Sequence, residues 1–131
     1  MTLLVQNNGE GDGLSFFVNK SSPTDLILCL FQNNITPAET DVTATYTDYT
    51  ATGYAPITLT GANWTITEGA PSQAAYAQQT FTMTGAGDAY GYFMKRTTSG
   101  RIALAERFSS APFSIPGGGG TIKVTPQITL D

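Results

Sequence analysis

Ten carboxylates, six basic side chains, one thiol and no histidine make up the ionisable stock of this chain, tyrosines aside. Without imidazole, general-base work near neutral pH and the usual zinc sites lose their commonest residue. The thiol, Cys29, lies inside Asp25-Leu26-Ile27-Leu28-Cys29-Leu30-Phe31, where a cysteine behaves as a small hydrophobe. A lone cysteine excludes an internal disulfide, and a thiolate nucleophile would need a base that is absent. Paired carboxylates remain able to hydrolyse a glycoside, and Glu106 or Asp88 beside Tyr90 and Tyr92 are the candidates. A chain with this many acids supplies such pairs by chance, so no catalytic residue is assigned and no enzyme is expected. Asn8-x-Glu10-x-Asp12-Gly13 sets oxygen ligands at alternate positions before a glycine, as calcium loops do. Asn19 stands where such a loop needs a bidentate glutamate, so no metal and no cofactor are expected.

Binding is the remaining chemistry. The net charge of -4 argues against nucleic acid, whose counterion-release term needs a basic surface. The charge is uneven: residues 1–90 hold eight acids against Lys20, whereas residues 91–131 hold Lys95, Arg96, Arg101, Arg107 and Lys123 against Glu106 and Asp131. Two readings follow, a solvent face of a sheet or a patch that docks on an acidic protein surface. Lys95, Arg96, Arg101 and Arg107, with the four-glycine run Gly117, Gly118, Gly119 and Gly120, are the candidate partner-binding residues. That run lacks the Lys-Ser/Thr of a phosphate loop and reads as a flexible turn or exposed loop tip. Tyr46, Tyr49, Tyr54, Trp64, Tyr76, Tyr90 and Tyr92 would suit either a sugar-stacking platform or the interior of a sheet packing. The start, Met1 to Gln6, does not read as a signal peptide, no apolar run is long enough for a membrane helix, and the three Asn-x-Ser/Thr sequons read as chance matches in a threonine-rich chain.

These residues need elements to position them, and the pattern is of short strands in one domain, 1–131. Residues 2–6 suggest a strand, 7–13 a loop and Leu14 to Val18 a second strand. Asp25 to Phe31 is apolar on both parities, so it should lie inside its sheet with both faces covered. Asp41 to Tyr49 reads as a threonine-rich strand or, in preference, as a short helix or turn followed by an extended segment through Tyr54, and then comes a hairpin of 57–59 and 64–67 about Thr60 to Asn63. Gln79 to Phe108 reads as a three-strand meander with breaks at Gly85 to Asp88 and Thr97 to Gly100. Gly91 signals a bulge or a close backbone approach. On the third strand Ile102, Leu104 and Phe108 form the inner parity, which also holds Glu106 and so demands a partner or a bulge. Thr121 to Leu130 alternates strictly, with Pro126 marking an edge or a bulge. The fold class expected is all-β, a β-sandwich or jelly-roll-like barrel of about 8–10 short antiparallel strands with at most one short helix.

Leu30-Phe31-Gln32-Asn33-Asn34-Ile35-Thr36-Pro37, Thr45-Tyr46-Thr47, Gly53-Tyr54-Ala55, Tyr90-Gly91-Tyr92-Phe93, Leu104 to Phe108 and Thr121 to Pro126 carry a resemblance. The chain resembles small proteins encoded among the structural genes of tailed bacteriophages. The resemblance implies a virion component, foremost a capsid decoration (cement) protein on the outer surface of the major capsid protein shell, assembled in the host cytoplasm. A homo-oligomer, with a trimer suggested by capsid three-fold sites, is the expected state, without nucleic acid or membrane as partner. The alternatives are a tail- or fibre-associated β module and a carbohydrate-binding module.

Overall fold

The computed structural model describes residues 3–130, so Thr2, the first residue of the strand expected at 2–6, lies outside the described residues. Its centre is a five-stranded antiparallel sheet. In spatial order it runs β1 (Leu4–Val5), β9 (Ile102–Arg107), β8 (Gly91–Arg96), β2 (Leu26–Phe31) and β3 (Ile57–Leu59). Strand β2 is interior and two-sided, as its composition requires. Leu26, Leu28 and Leu30 enter one apolar cluster, and Cys29 and Phe31 enter another on the opposite face.

The larger cluster fills the space between this sheet and a second layer. There β6 (Gln79–Met83) pairs with β11 (Gly120–Val124), and β7 (Gly87–Ala89) pairs with β10 (Phe113–Ile115). Phe81, Met83, Ile115, Ile122 and Val124 face Leu28, Met94 and Leu104 across the interior. The smaller cluster has no second sheet over it. The irregular segment between β2 and β3, a 3-10 turn at Thr43–Thr45 included, covers it with Tyr46, which stacks on Phe93 at 5.1–5.2 Å from both neighbouring rings, Phe31 edge-on. Where β3 stops, the Leu30 amide donates to the Tyr54 hydroxyl at 2.9 Å, and Tyr49 N–H donates to the Leu30 carbonyl at 3.0 Å. A third unit, β4 (Thr65–Thr67), β5 (Ser72–Ala75) and β12 (Gln127–Leu130), forms its own sheet in the order β12-β5-β4.

The all-β reading therefore holds, with twelve strands and one α-helix among the described residues. Four local expectations do not. Residues 7–18 are not a loop and a strand: α1 spans Asn7–Phe17. The meander is only a hairpin, β8–β9, because β6 pairs with β11 in the opposite layer and β7 occupies the expected break. Residues 57–67 are no hairpin either, since a 3-10 turn at Gly61–Asn63 sends β3 and β4 into different sheets. The last alternating stretch is two strands, with β11 and β12 joined at Thr125–Pro126 and paired to different partners. In the last three cases the period was right and the neighbour wrong, because alternation states which face is apolar but not which strand lies alongside. In the first the period itself is helical, with Gly9, Asp12 and Phe16 recurring at three and four.

Helix α1 has poor local credentials: three glycines and no side-chain cap at Gln6. Tertiary contacts hold it instead. Gly9, Asp12 and Phe16, spaced three and four apart, share the face turned to the β8–β9 hairpin. Gly9 lies so close to the Ala103 backbone that a Cβ there would overlap it. Asp12 and Phe16 both meet Arg96.

Candidate functional site

The β8–β9 hairpin carries all four basic residues singled out from the sequence, and its register decides where they point. Lys95 pairs with Ile102 but Met94 with Leu104, so Ala103 is a bulged extra residue. The bulge turns Ile102 to the Phe93 side, contrary to its expected inner parity, while Ala103 joins the main core. Beyond it Leu104, Glu106 and Phe108 keep the expected face. Glu106 finds the partner it needs: directly opposite, the Tyr92 hydroxyl donates to its carboxylate at 2.5 Å. Burial first, then the hydrogen bond to Glu106 and last its charge, push the Tyr92 phenol well above its ordinary value. Asp88 sits apart from this pair on β7, opposite Ser114.

Lys95 and Arg107 lie on the Phe93 side. The Lys95 ammonium is 5.9 Å from the Phe93 ring centre, and Arg107 donates to the Ile35 carbonyl at 2.8 Å with its guanidinium 5.3 Å from the Tyr90 ring. Arg96 and Arg101 meet instead at the hairpin end, where both approach Asp12 of α1, at 3.7 and 3.5 Å. Gly117 to Gly120 are elsewhere, at the β10–β11 turn. There the Gly119 amide donates to the Pro116 carbonyl at 2.9 Å, and Gly119 has φ of 89°, a conformation that favours glycine. The basic residues thus divide between two faces, and of these glycines only Gly117 and Gly118 are exposed, Gly119 and Gly120 being half-buried against the end of β6.

The aromatic residues do not assemble into an open platform. Tyr46, Tyr49, Tyr76 and Tyr92 are buried, and half-buried Trp64 packs edge-on against Tyr76 at 5.1 Å. Cys29 is fully buried, and desolvation raises its thiol to about 12. On α1, Asn8 and Asp12 are four residues apart and share the side that meets Arg101, while Glu10 between them points away, so the three cannot converge as the alternate ligands of a loop would.

Two surfaces emerge that the sequence reading did not single out. The first is the β12-β5-β4 sheet. Ile66, Ala74 and Ile128 stand in one cross-strand row, with Leu130 in the same face two residues on, and Ile66 and Leu130 are 64% and 69% exposed. None of the eleven residues in its strands is charged. Among the described residues no backbone hydrogen bond joins β4 or β12 to any element outside this sheet. Absence of charge from three neighbouring β-rich segments was the available signal. The second surface is the outer side of α1, where Leu14, Phe17 and Val18 are 66–89% exposed. That one was hidden, because these residues read as a strand until Gly9, Asp12 and Phe16 were seen to take the inner face.

Comparison with known proteins adds no constraint: no protein-family model, no curated protein and no solved structure matches the chain.

Proposed function

We propose that the chain is a non-catalytic structural module that works by strand pairing at its surface, set in a virion shell as a decoration protein on the major capsid protein. The observation that carries the reading is the uncharged β12-β5-β4 sheet with both outer edges unpaired. Natural sheets guard such edges with charge, proline or a covering element, because exposed N–H and C=O groups recruit other strands. Proline stands beside these strands at Pro71 and Pro126 but not within them. An edge left open on a rigid two-layer body suits a subunit whose task is to join neighbours. The phage setting rests on the sequence resemblance, and Lys95 and Arg107, on the Phe93 side of the β8–β9 hairpin, would serve an acidic shell surface.

The test pairs the solution mass of the purified protein with its co-sedimentation on shells assembled from a tailed-phage major capsid protein. Saturable sedimentation in physiological salt supports decoration. A stable oligomer that ignores the shells moves the module to a tail or fibre, and a monomer that ignores them overturns the assembly reading.

A further inference from the structure

Between α1 and the end of the β8–β9 hairpin lies a cleft of about 220 Å³, walled by Asp12, Phe16, Ser22, Arg96, Thr98 and Arg101. Its polar groups are underused. The Arg96 side chain is mostly buried, its guanidinium lies 4.6 Å from the Phe16 ring centre, and Nη1 donates to the Thr24 carbonyl at 3.1 Å. Its Nε is buried without a hydrogen-bond partner. The half-exposed Arg101 donates once from its guanidinium, from Nη2 to Asn8 Oδ1 at 3.2 Å. Asp12 lies 3.5 and 3.7 Å from the two Nε atoms, close enough to offset charge but too far for good hydrogen bonds. The hydroxyls of the exposed Ser22 and Thr98 make no hydrogen bond to another described residue.

Two guanidinium groups against one carboxylate leave a surplus positive charge, several unspent N–H donors and room beside them. A guanidinium fork matches the paired oxygens of a carboxylate, sulfate or phosphate, and such charge-assisted bonds are the strong ones. Burial already holds Arg96 below its ordinary pKa, so an added anion would relieve a desolvated cation. We infer that this cleft is a binding site for an oxyanion group, held between Arg96 and Arg101 with the Ser22 and Thr98 hydroxyls as further donors. The inference is independent of the assembly reading.

The experiment follows the arginine Nε–H resonances of the folded protein during titration with sodium phosphate, sulfate or acetate. Sodium chloride at matched ionic strength is the control. Saturable shifts of both Arg96 and Arg101 are expected with at least one oxyanion and not with chloride. Preference for phosphate or sulfate marks a tetrahedral ester ligand, and preference for acetate a carboxylate. Arg101→Gln should weaken the interaction about tenfold, and Asp12→Asn should tighten it, since it removes the competing carboxylate. Should either variant fail to fold, the wild-type titration decides alone. No saturable shift with any oxyanion, an equal response to chloride, or undiminished binding in folded Arg101→Gln would overturn the inference.

Discussion

Two tyrosines of the same core have opposite hydroxyl economies. Tyr49 is buried, and its hydroxyl has no hydrogen-bond partner. Tyr54 uses its hydroxyl to accept the Leu30 amide at the point where β3 no longer can. Tyr49→Phe should therefore be neutral or stabilising by up to about 1 kcal/mol, whereas Tyr54→Phe strands a buried amide and should cost about 1–3 kcal/mol. Urea unfolding of both variants checks the pair; a comparable loss from each would show that Tyr49 has a partner after all. The helix glycines divide in the same way. Gly11 and Gly13 have nothing within 4 Å of an added Cβ, so alanine at each should stabilise by about 0.5–1 kcal/mol. Gly9→Ala must push α1 off the Ala103 backbone, so its midpoint should fall instead.

At the scale of elements, packing partners override local preference. Helix α1 forms from a glycine-rich sequence because Gly9, Asp12 and Phe16 reach the hairpin together, and the Ala103 bulge resets the faces of β9 within the same contact. Gly91 is fixed by tertiary packing too: a Cβ there would come within 2.6 Å of the Phe31 ring, and it would also overlap the Glu106 carbonyl. The β12-β5-β4 sheet obeys the opposite logic, since little of it is buried and its open edges define it. Ile66→Lys places a charge in the exposed apolar row of edge strand β4. Its unfolding free energy should stay within about 0.5 kcal/mol of wild type, as for ordinary surface changes. Its association, followed by light scattering, should weaken if this sheet is the joining surface. Unchanged association with an intact fold would shift the contact to another face.

For the whole molecule, the buried acidic groups set an alkaline limit. The Cys29 thiol is raised from 9.0 to about 12, and Tyr46, Tyr54 and Tyr92 are pushed well above 10.0, burial being the largest cause in each. A raised value means that the folded state keeps a proton the unfolded chain has released. The stability tied to these groups is fully present below about pH 9 and drains away as pH climbs toward the raised values. Urea midpoints should hold between pH 7 and 8 and fall by pH 10, with Cys29 alone accounting for about 1 kcal/mol there. Cys29→Ala should lower the midpoint at pH 7 through lost packing, yet flatten its decline between pH 9 and 10. An equally steep decline would place the sensitivity on the tyrosines alone.

Amino-acid pattern alone determined the strand-rich class, the two-sided burial of β2, the inert setting of Cys29, the β8–β9 hairpin and the need of Glu106 for a partner. Each follows from side-chain period or from the cost of burying a polar group, which are local properties of the chain. Tertiary structure decided what depends on neighbours: the helix at Asn7–Phe17, the pairing of β6 with β11, the division of 57–67 between two sheets, and the crossing of β11 into β12 at Pro126. It also decided which functional groups meet. Arg96 and Arg101 stand five residues apart across a hairpin, but Asp12 joins them only because a bulge at Ala103 and the bare backbone of Gly9 let α1 dock there. Charge and hydrogen bonding act through space, so a constellation drawn from distant segments becomes legible only once the segments are packed.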